Sequence, residues 1–325
     1  MKYDFRKPEY MQKAGEKGHN IFIELLIAFA VFMAANIISA SLQSMASIGA
    51  MLMDERYIEM LESGETDLEL IIEISSSMPD WVMVVSLISQ IFMIVTCIVY
   101  CKFIEKRSLE SMGFVKKGAF LQYLIGVGLG IGLFSACYGV CALTGSYTSI
   151  VFNEGFSVGM LILYFVGFLI QGMAEEVFCR GYLMTSIGRR YGVIVSVLVS
   201  ALVFALLHGM NAGISVLALI NLFLYGIVMS LLMVRFNNIW IVGALHSLWN
   251  FVQGNFYGVQ VSGTVSGTSV LATTANEELS LLNGGSFGLE GGVVCTAMLV
   301  IVSVLLVVSI CIKGGFVKKE IQDAV

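Results

Sequence analysis

Long apolar segments alternate with short polar segments along the whole chain. A helix of about 20 apolar residues crosses the hydrocarbon core of a membrane, and about eight windows reach or approach this length. The windows cover residues 21–42, 81–103, 120–143, 158–187, 193–208, 212–236, 238–256 and 291–311, of which the fifth and seventh are short. The pattern predicts an all-α, polytopic membrane helix bundle with about eight transmembrane helices.

The composition agrees with a membrane protein and excludes two other classes. Apolar residues make up 58% of the chain and charged residues only 13%, whereas about a quarter of a soluble domain is charged. A disordered chain needs low hydrophobicity and high net charge, and the net charge here is −5. No basic run indicates a nucleic-acid partner, so the expected surroundings are the lipid bilayer.

The Lys and Arg residues provide an independent test of the predicted spans, because cytoplasmic loops collect positive charge. With both termini in the cytoplasm, every Lys and Arg except Arg56 and Arg180 falls in a cytoplasmic segment. The charge pattern therefore predicts that both termini are cytoplasmic. The first span is longer than the apolar segment of a signal peptide, which favours a membrane anchor.

Three regions are expected along the chain. Residues 1–157 form the N-terminal tail and the first three spans, with an acidic outer loop in which Thr66 and Glu69 have the spacing of a capping box. Residues 158–257 form a helical core with the candidate chemistry. Residues 258–325 form an outer loop rich in Ser, Thr and Gly, which we expect to be flexible, followed by the last span and a cytoplasmic tail.

Two residue types inside the spans have a structural interpretation. All seven cysteines fall within spans, where small apolar fillers are expected. Four glycines of the third span, Gly126, Gly128, Gly130 and Gly132, have the spacing that allows two helices to approach closely. We therefore expect the third span to pack tightly against a neighbouring helix.

Ionisable side chains concentrate in three of the predicted spans. Such a group inside the membrane costs at least about 2.5 kcal/mol, so it usually faces a cavity and serves a function. The fourth span carries Glu175, Glu176 and Arg180, the fifth ends at His208, and the seventh carries His246 and Asn250. A helix rises about 1.5 Å per residue, which places Glu175, His208, His246 and Asn250 roughly 12–22 Å from the cytoplasmic boundary. Three helices thus deliver polar groups to the middle of the membrane, as a site would require.

The spacing of these residues suggests distinct roles, although structural roles remain open. His246 and Asn250 share a helix face, as do Phe204 and His208, and Glu176 and Arg180 can form an ion pair. Glu175 lies about 100° around the helix from Glu176, so the two carboxylates are expected to differ in function. A structural ion pair, or a His or Asn that bonds two helices together, would explain each feature taken singly.

Taken together, the motifs resemble the CPBP family of intramembrane proteases, which includes the type II CAAX prenyl endopeptidases and bacteriocin-processing enzymes. The resemblance covers about residues 158–257. The family motifs EExxxR, FxxxH and HxxxN match Glu175 to Arg180, Phe204 to His208, and His246 to Asn250. Their occurrence in order, each on a predicted transmembrane helix, makes the resemblance specific.

The resemblance implies hydrolysis of a peptide bond in a membrane-anchored peptide or protein. Glu175 and His208 would hold and activate water, with Glu175 as general base. His246 and Asn250 would stabilise the oxyanion, and Glu176, Arg180 and Phe204 would support the site. The resemblance further implies a multi-pass protein of a cell membrane, with a bacterial plasma membrane expected from the distribution of the family.

A divalent metal ion, with zinc as the candidate, is a further expectation from the resemblance. Glu175, His208 and His246 could supply three ligands and leave a fourth position open, as in catalytic zinc sites. No HExxH helix is present, and a glutamate mechanism without metal would need no additional residue.

Two other functional classes remain open from the sequence. A non-catalytic membrane scaffold or bacteriocin-immunity protein could retain the motifs and bind its partner through the acidic outer loop. A transporter could use an intramembrane Glu and His set as a proton relay. Matching pairs of interrupted half-helices, typical of transporters, are not visible in the sequence, which favours the protease interpretation.

Overall fold

The computed structural model describes residues 3–265 and 267–318 as a bundle of long helices with two small sheets. The ends of both predicted tails, residues 1–2 and 319–325, lie outside the described residues. The helices are α1 Glu9–Gln12, α2 Ile21–Met51, α3 Glu55–Ser63, α4 Leu68–Ser76, α5 Asp80–Ser89, α6 Ile91–Val99, α7 Ala119–Leu143, α8 Val158–Glu176, α9 Thr185–Tyr191, α10 Val193–Leu207, α11 Val216–Phe236, α12 Ile239–Phe251, α13 Ser280–Asn283 and α14 Val293–Ile312. Three of them continue as π-helix, at Tyr100–Ile104, Val177–Met184 and Val252–Phe256, and short 3-10 turns occur at Leu109–Met112, Glu277–Leu279, Gly285–Phe287 and Leu289–Gly291.

The predicted membrane helix bundle is confirmed: the structure is 73% helical and has almost no sheet. Among the described residues, 6 helices are long and apolar enough to cross a membrane. They are Ile21–Met51, Asp80–Ile104, Ala119–Leu143, Val158–Tyr191, Val216–Phe236 and Val293–Ile312. The two windows that are short in the sequence correspond to the shorter helices α10 and α12. Almost every residue of α12 is buried, because it packs between α7 and α8 at the centre of the bundle.

Both ends of the described chain lie on one face of the bundle. Strand β1, Tyr3–Phe5, pairs antiparallel with β4, Phe316–Lys318. The Asp4 carboxylate accepts hydrogen bonds from the backbone N–H groups of Val193 and Ile194, at 3.2 and 3.0 Å. An acidic side chain at this position stabilises the start of α10, because the first N–H groups of a helix lack helical partners.

A buried ionic cluster lies at the same face and was not expected from the sequence. Glu24, in the first turn of α2, is fully buried and lies 3.2 Å from the Arg189 guanidinium. Arg189 also contacts Glu105 at 2.7 Å, and Glu105 contacts Arg107 at 2.5 Å. The cluster joins α2, the end of α6 and α9, so these helices are linked by charge as well as by apolar packing.

Two segments predicted to lie outside the membrane, the first outer segment (residues 43–80) and the second outer segment (residues 258–292), are more ordered in their described residues than their composition indicates. In the first outer segment the cap of α4 is Asp67, which accepts from the Leu70 N–H, instead of the predicted Thr66 capping box. In the second, β3, Leu271–Ala275, pairs antiparallel with β2, Tyr147–Phe152. The Asn283 carboxamide donates to the backbone oxygens of Ser146 and Asn276 at 2.8 Å. The second outer segment, which was expected to be flexible, is therefore folded. Its asparagine side chains form hydrogen bonds with backbone groups that would otherwise bond to water, and composition alone does not reveal these bonds.

Two of the four closely spaced glycines of α7, between residues 126 and 132, determine the position of α12. A Cβ atom added at Gly126 or Gly130 would collide with backbone oxygens of α12, whereas none of the described atoms lies within 4 Å of a Cβ at Gly128 or Gly132. The expected close packing is therefore confirmed for the pair Gly126 and Gly130, which are four residues apart. Because α12 carries His246 and Asn250, this contact positions part of the candidate site.

We expect Gly130→Val to destabilise the protein by about 1–3 kcal/mol, the usual cost of overpacking. The added Cβ would lie 2.5 Å from the Leu245 carbonyl oxygen, so α7 and α12 would have to separate. Thermal unfolding in detergent micelles measures the effect. Gly132→Val is the matched control on the open face of the same helix, and equal stability of the two variants would contradict the packing argument.

Candidate active site

The polar side chains of α8, α10 and α12 converge on one cavity. The cavity has a volume of about 410 Å³, and Glu175, His208, His246 and Asn250 all line it. These residues are separated by up to 75 positions in the sequence, from 175 to 250, and come together only because the three helices are neighbours. The four side chains therefore line one shared cavity, and their common depth in the membrane stays a prediction.

Glu175 lies at the centre of the group. Its Oε1 accepts a hydrogen bond from the Gln171 side-chain amide, one helical turn earlier on α8. Its Oε2 is 3.7 Å from Nε2 of both His208 and His246. These separations are too long for direct hydrogen bonds, and Oε2 accepts no hydrogen bond from any described residue. One carboxylate oxygen is thus available between two imidazole nitrogens.

Each imidazole is oriented by an acceptor at its other nitrogen. His208 Nδ1 lies 2.9 Å from the backbone oxygen of Phe204, and His246 Nδ1 lies 2.9 Å from Glu176 Oε1. A carbonyl or carboxylate oxygen only accepts, so the Nδ1–H form donates in both cases. This tautomer leaves Nε2 of each ring as an acceptor that faces Glu175.

Glu176 and Arg180 form the predicted ion pair, and both side chains are fully buried. Arg180 Nη1 donates to Glu176 Oε1 at 3.0 Å, and Nη2 donates to the Gly226 carbonyl on α11 at 3.2 Å. The guanidinium also lies over the Phe204 ring, 4.6 Å from its centre. The pair therefore links α8, α10 and α11, and it orients His246 through the shared Oε1 atom. The same pair can therefore hold the helices together and orient a side chain of the candidate site.

Asn250 reaches the site through a residue that the motifs do not include. Its Nδ2 donates to Gln171 Oε1 at 3.0 Å, while Gln171 donates to Glu175. Gln171 thus connects the carboxylate of α8 with the amide of α12. Asn250 retains a second N–H on the same nitrogen.

The backbone of the fourth span changes its hydrogen-bonding pattern directly after the two glutamates. Residues Val177–Met184 are π-helical, and all eight are buried. The Ser200 hydroxyl on α10 donates to the Cys179 carbonyl at 2.8 Å, satisfying one backbone group of this turn. π-Helical turns inside longer helices are frequent at functional sites. Here the turn includes Arg180, whose guanidinium contacts two other helices, α10 through Phe204 and α11 through Gly226.

Several site residues escaped the sequence interpretation. Tyr225 on α11 places its ring 5.4 Å from that of His246 and 5.5 Å from that of Trp249. Ser262 and Thr264 from the second outer segment, together with Glu290, also line the cavity. Gln171 could have been noticed from its position four residues before Glu175. The others lie in segments without a motif, so only the folded chain reveals them.

The donor groups agree in type with the expected divalent metal ion. Metal-binding histidines usually donate their second ring N–H to a carboxylate or carbonyl, as both His208 and His246 do. Nε2 of these rings and the Glu175 carboxylate are donors that zinc accepts. As placed, however, no group of three His, Cys, Asp or Glu side chains within residues 3–265 and 267–318 could hold a metal ion. The residues fit a metal in donor type but not in spacing.

Comparison with known families identifies the part of the chain that carries this site. Residues 157–252 match the family model described as type II CAAX prenyl endopeptidase Rce1-like. This region, fewer than a third of the chain, resembles an Rce1-like domain and includes Glu175, His208, His246 and Asn250. The match agrees with the family resemblance of the motifs. No curated protein matches the chain.

The ion pair between Glu176 and Arg180 provides a test of how the site is supported. We expect Arg180→Ala to lower stability by about 3–5 kcal/mol, because it leaves Glu176 buried without its partner. The double variant Glu176→Gln/Arg180→Met removes both charges and should recover part of this loss. Thermal unfolding in detergent measures both variants.

The matched control for this test is Arg56→Gln, because Arg56 pairs with Asp54 and Glu73 on the exposed outer surface. We expect no measurable change for this variant, since exposed ion pairs contribute little. A double variant that is no more stable than Arg180→Ala would show that the loss of stability does not come from the unpaired charge of Glu176.

Proposed function

We propose that the protein is an intramembrane endopeptidase that hydrolyses a peptide bond in a membrane-associated peptide or protein. The observation that carries this proposal is the position of Glu175 Oε2, 3.7 Å from the Nε2 atoms of two histidines on two other helices. An Rce1-like domain supports an intramembrane protease of the CAAX type at the level of the family. The bundle supports a multi-pass membrane protein, and we propose that it lies in the bacterial plasma membrane.

Glu175 acts as the general base in this proposal. Its free oxygen takes a proton from a water molecule held between the carboxylate and His208, and the hydroxide attacks the peptide carbonyl carbon. His208 is oriented for this role because the Phe204 carbonyl fixes its ring. The Gln171 amide holds the other oxygen of Glu175, so the carboxylate does not need to reorient.

Attack on the carbonyl creates a negative charge on its oxygen. His246 and the second N–H of Asn250 are the proposed donors to this oxyanion, as preorganised dipoles aimed at developing charge. His246 can donate through Nε2 only when its ring is protonated, and the Glu176 carboxylate at Nδ1 favours that form. Glu175 then transfers the proton to the departing amine, the C–N bond breaks, and a carboxylate and an amine are released.

We expect Glu175→Gln and His208→Ala each to lower the rate of peptide hydrolysis about 100-fold or more, the usual contribution of general base catalysis. Both proteins should still fold, because neither side chain is fully buried. The measurement is cleavage of a fluorescence-quenched, lipid-anchored peptide library by protein reconstituted in liposomes. Comparison of membrane-peptide profiles from cells with the intact and the Glu175→Gln protein provides the natural substrate.

Matched controls exist for both substitutions. Glu154→Gln changes an exposed glutamate before α8, and His19→Ala changes an exposed histidine of the N-terminal tail. Both controls should cleave at the normal rate. Full activity of Glu175→Gln and His208→Ala would reject catalysis at this site and support a binding or immunity role for the protein.

A divalent cation is a separate part of the proposal. It is an alternative to the proton transfers above: Glu175, His208 and His246 would move closer together to hold the ion, with His246 as a neutral ligand in place of an oxyanion donor. The ion would supply Lewis-acid polarisation of the carbonyl or of water. We expect the purified protein to contain zinc by elemental analysis, and His208→Ala to contain less because one ligand is lost. Protein that is fully active and free of metal after chelation would contradict this part and leave Glu175 as the sole activating group.

A further inference from the structure

The outer wall of the cavity carries a second carboxylate, Glu290, that the catalytic proposal does not use. Glu290 lies in the 3-10 turn Leu289–Gly291, just before α14. It lines the same cavity as Glu175 and is partly buried. Among the described residues, no Lys or Arg forms an ion pair with it. Glu290 is thus a negative charge at the cavity wall that lacks a cationic partner within the described chain.

Neutral donors hold this carboxylate in one orientation. Trp249 Nε1 donates to Oε1 at 3.2 Å, and the backbone N–H and hydroxyl of Ser262 donate to Oε2 at 2.8 and 2.7 Å. Hydrogen bonds from neutral donors stabilise a carboxylate without cancelling its charge. The side chain is therefore held in one orientation by donors that bring no positive charge to it, as recognition of a cation requires.

Glu290 is displaced from the reacting groups. The Trp249 ring contacts Tyr225, and Tyr225 contacts His246, so two aromatic rings lie between Glu290 and the catalytic histidine. On the same wall lie Val261, Ser262 and Thr264, which belong to the second outer segment. A peptide that reaches Glu175 from this wall would pass Glu290 with residues near, but not at, the scissile bond.

Apart from its two histidines, the cavity lining has, among the described residues, acidic side chains but no basic ones. The described lining residues include the carboxylates Glu175 and Glu290 and no Lys or Arg. A carboxylate is repelled by another carboxylate close to it, and the repulsion is stronger in a cavity of lower dielectric constant than in water. A cationic group is attracted by the same amount.

We propose that Glu290 forms a subsite for a positively charged group of the substrate, a Lys or Arg side chain close to the scissile bond. This inference rests on the proposed endopeptidase function and names its substrate class. The cavity accordingly disfavours a free C-terminal carboxylate and favours an internal bond of a basic segment. Discrimination of this kind arises from attraction to one partner and repulsion of the other.

The test uses lipid-anchored, fluorescence-quenched peptides that differ at one position beside the scissile bond, where they carry lysine, norleucine or glutamate. We expect reconstituted protein to cleave the lysine peptide at least about tenfold faster than the glutamate peptide, a difference that corresponds to about 1.4 kcal/mol. Glu290→Gln should lose the preference for lysine, so that the ratio of its lysine-peptide to its norleucine-peptide cleavage falls to about one. Glu278→Gln, an exposed glutamate of the same segment, should keep the preference.

Binding separates this inference from the proposed function. Anisotropy of the labelled peptides with the Glu175→Gln protein reports affinity without turnover, and we expect the lysine peptide to bind more tightly than the glutamate peptide. Equal binding and equal cleavage of all three peptides by the unmodified protein would overturn the subsite and leave the protease intact. Charge-dependent binding without cleavage would overturn the protease and keep the subsite as a binding site. If Glu290→Gln does not fold, the three peptides with the unmodified protein still decide the preference.

Discussion

A buried ion pair between Glu176 and Arg180 is the interaction on which the candidate site depends. Removal of two charges from water is expensive, so such a pair persists only when further hydrogen bonds satisfy both groups. Here the guanidinium also meets the Gly226 carbonyl and the Phe204 ring, and the carboxylate also meets His246. The pair is therefore a junction of α8, α10, α11 and α12, and any displacement of one helix would disturb the orientation of the His246 imidazole.

Close packing of apolar helices also holds the elements of this junction in place. Association of helices in lipid depends on close packing more than on the hydrophobic effect, and Gly126 and Gly130 allow the backbone of α12 to lie directly against α7. Because α12 is enclosed on nearly all sides, it can carry His246 and Asn250 without exposing them to acyl chains. The helix is too short to be a typical span, and its burial explains why this is tolerated.

The second outer segment contributes to the cavity as well as covering it. Its fold depends on side chains that bond backbone groups, including Asn283 and Asn255, and on pairing of β3 with β2. Through Ser262 and Glu290 it reaches the ring of Trp249, next to Asn250 on α12. Part of the shape and charge of the cavity wall is thus determined by a segment outside the region that matches the family model.

The sequence by itself determined the membrane helix bundle and the approximate bounds of the spans, because the length of an apolar segment is a local signal. It also predicted the four polar side chains that line the cavity, because polar residues inside an apolar span are a local signal too. The pairing of Glu176 with Arg180 also followed from their spacing. Only the tertiary structure revealed Gln171, Tyr225 and Glu290 as neighbours of these groups, and it alone showed the ordered outer segment and the buried cluster around Arg189. Those contacts join residues far apart in the chain, so they depend on how the helices pack and leave no periodic trace in the sequence.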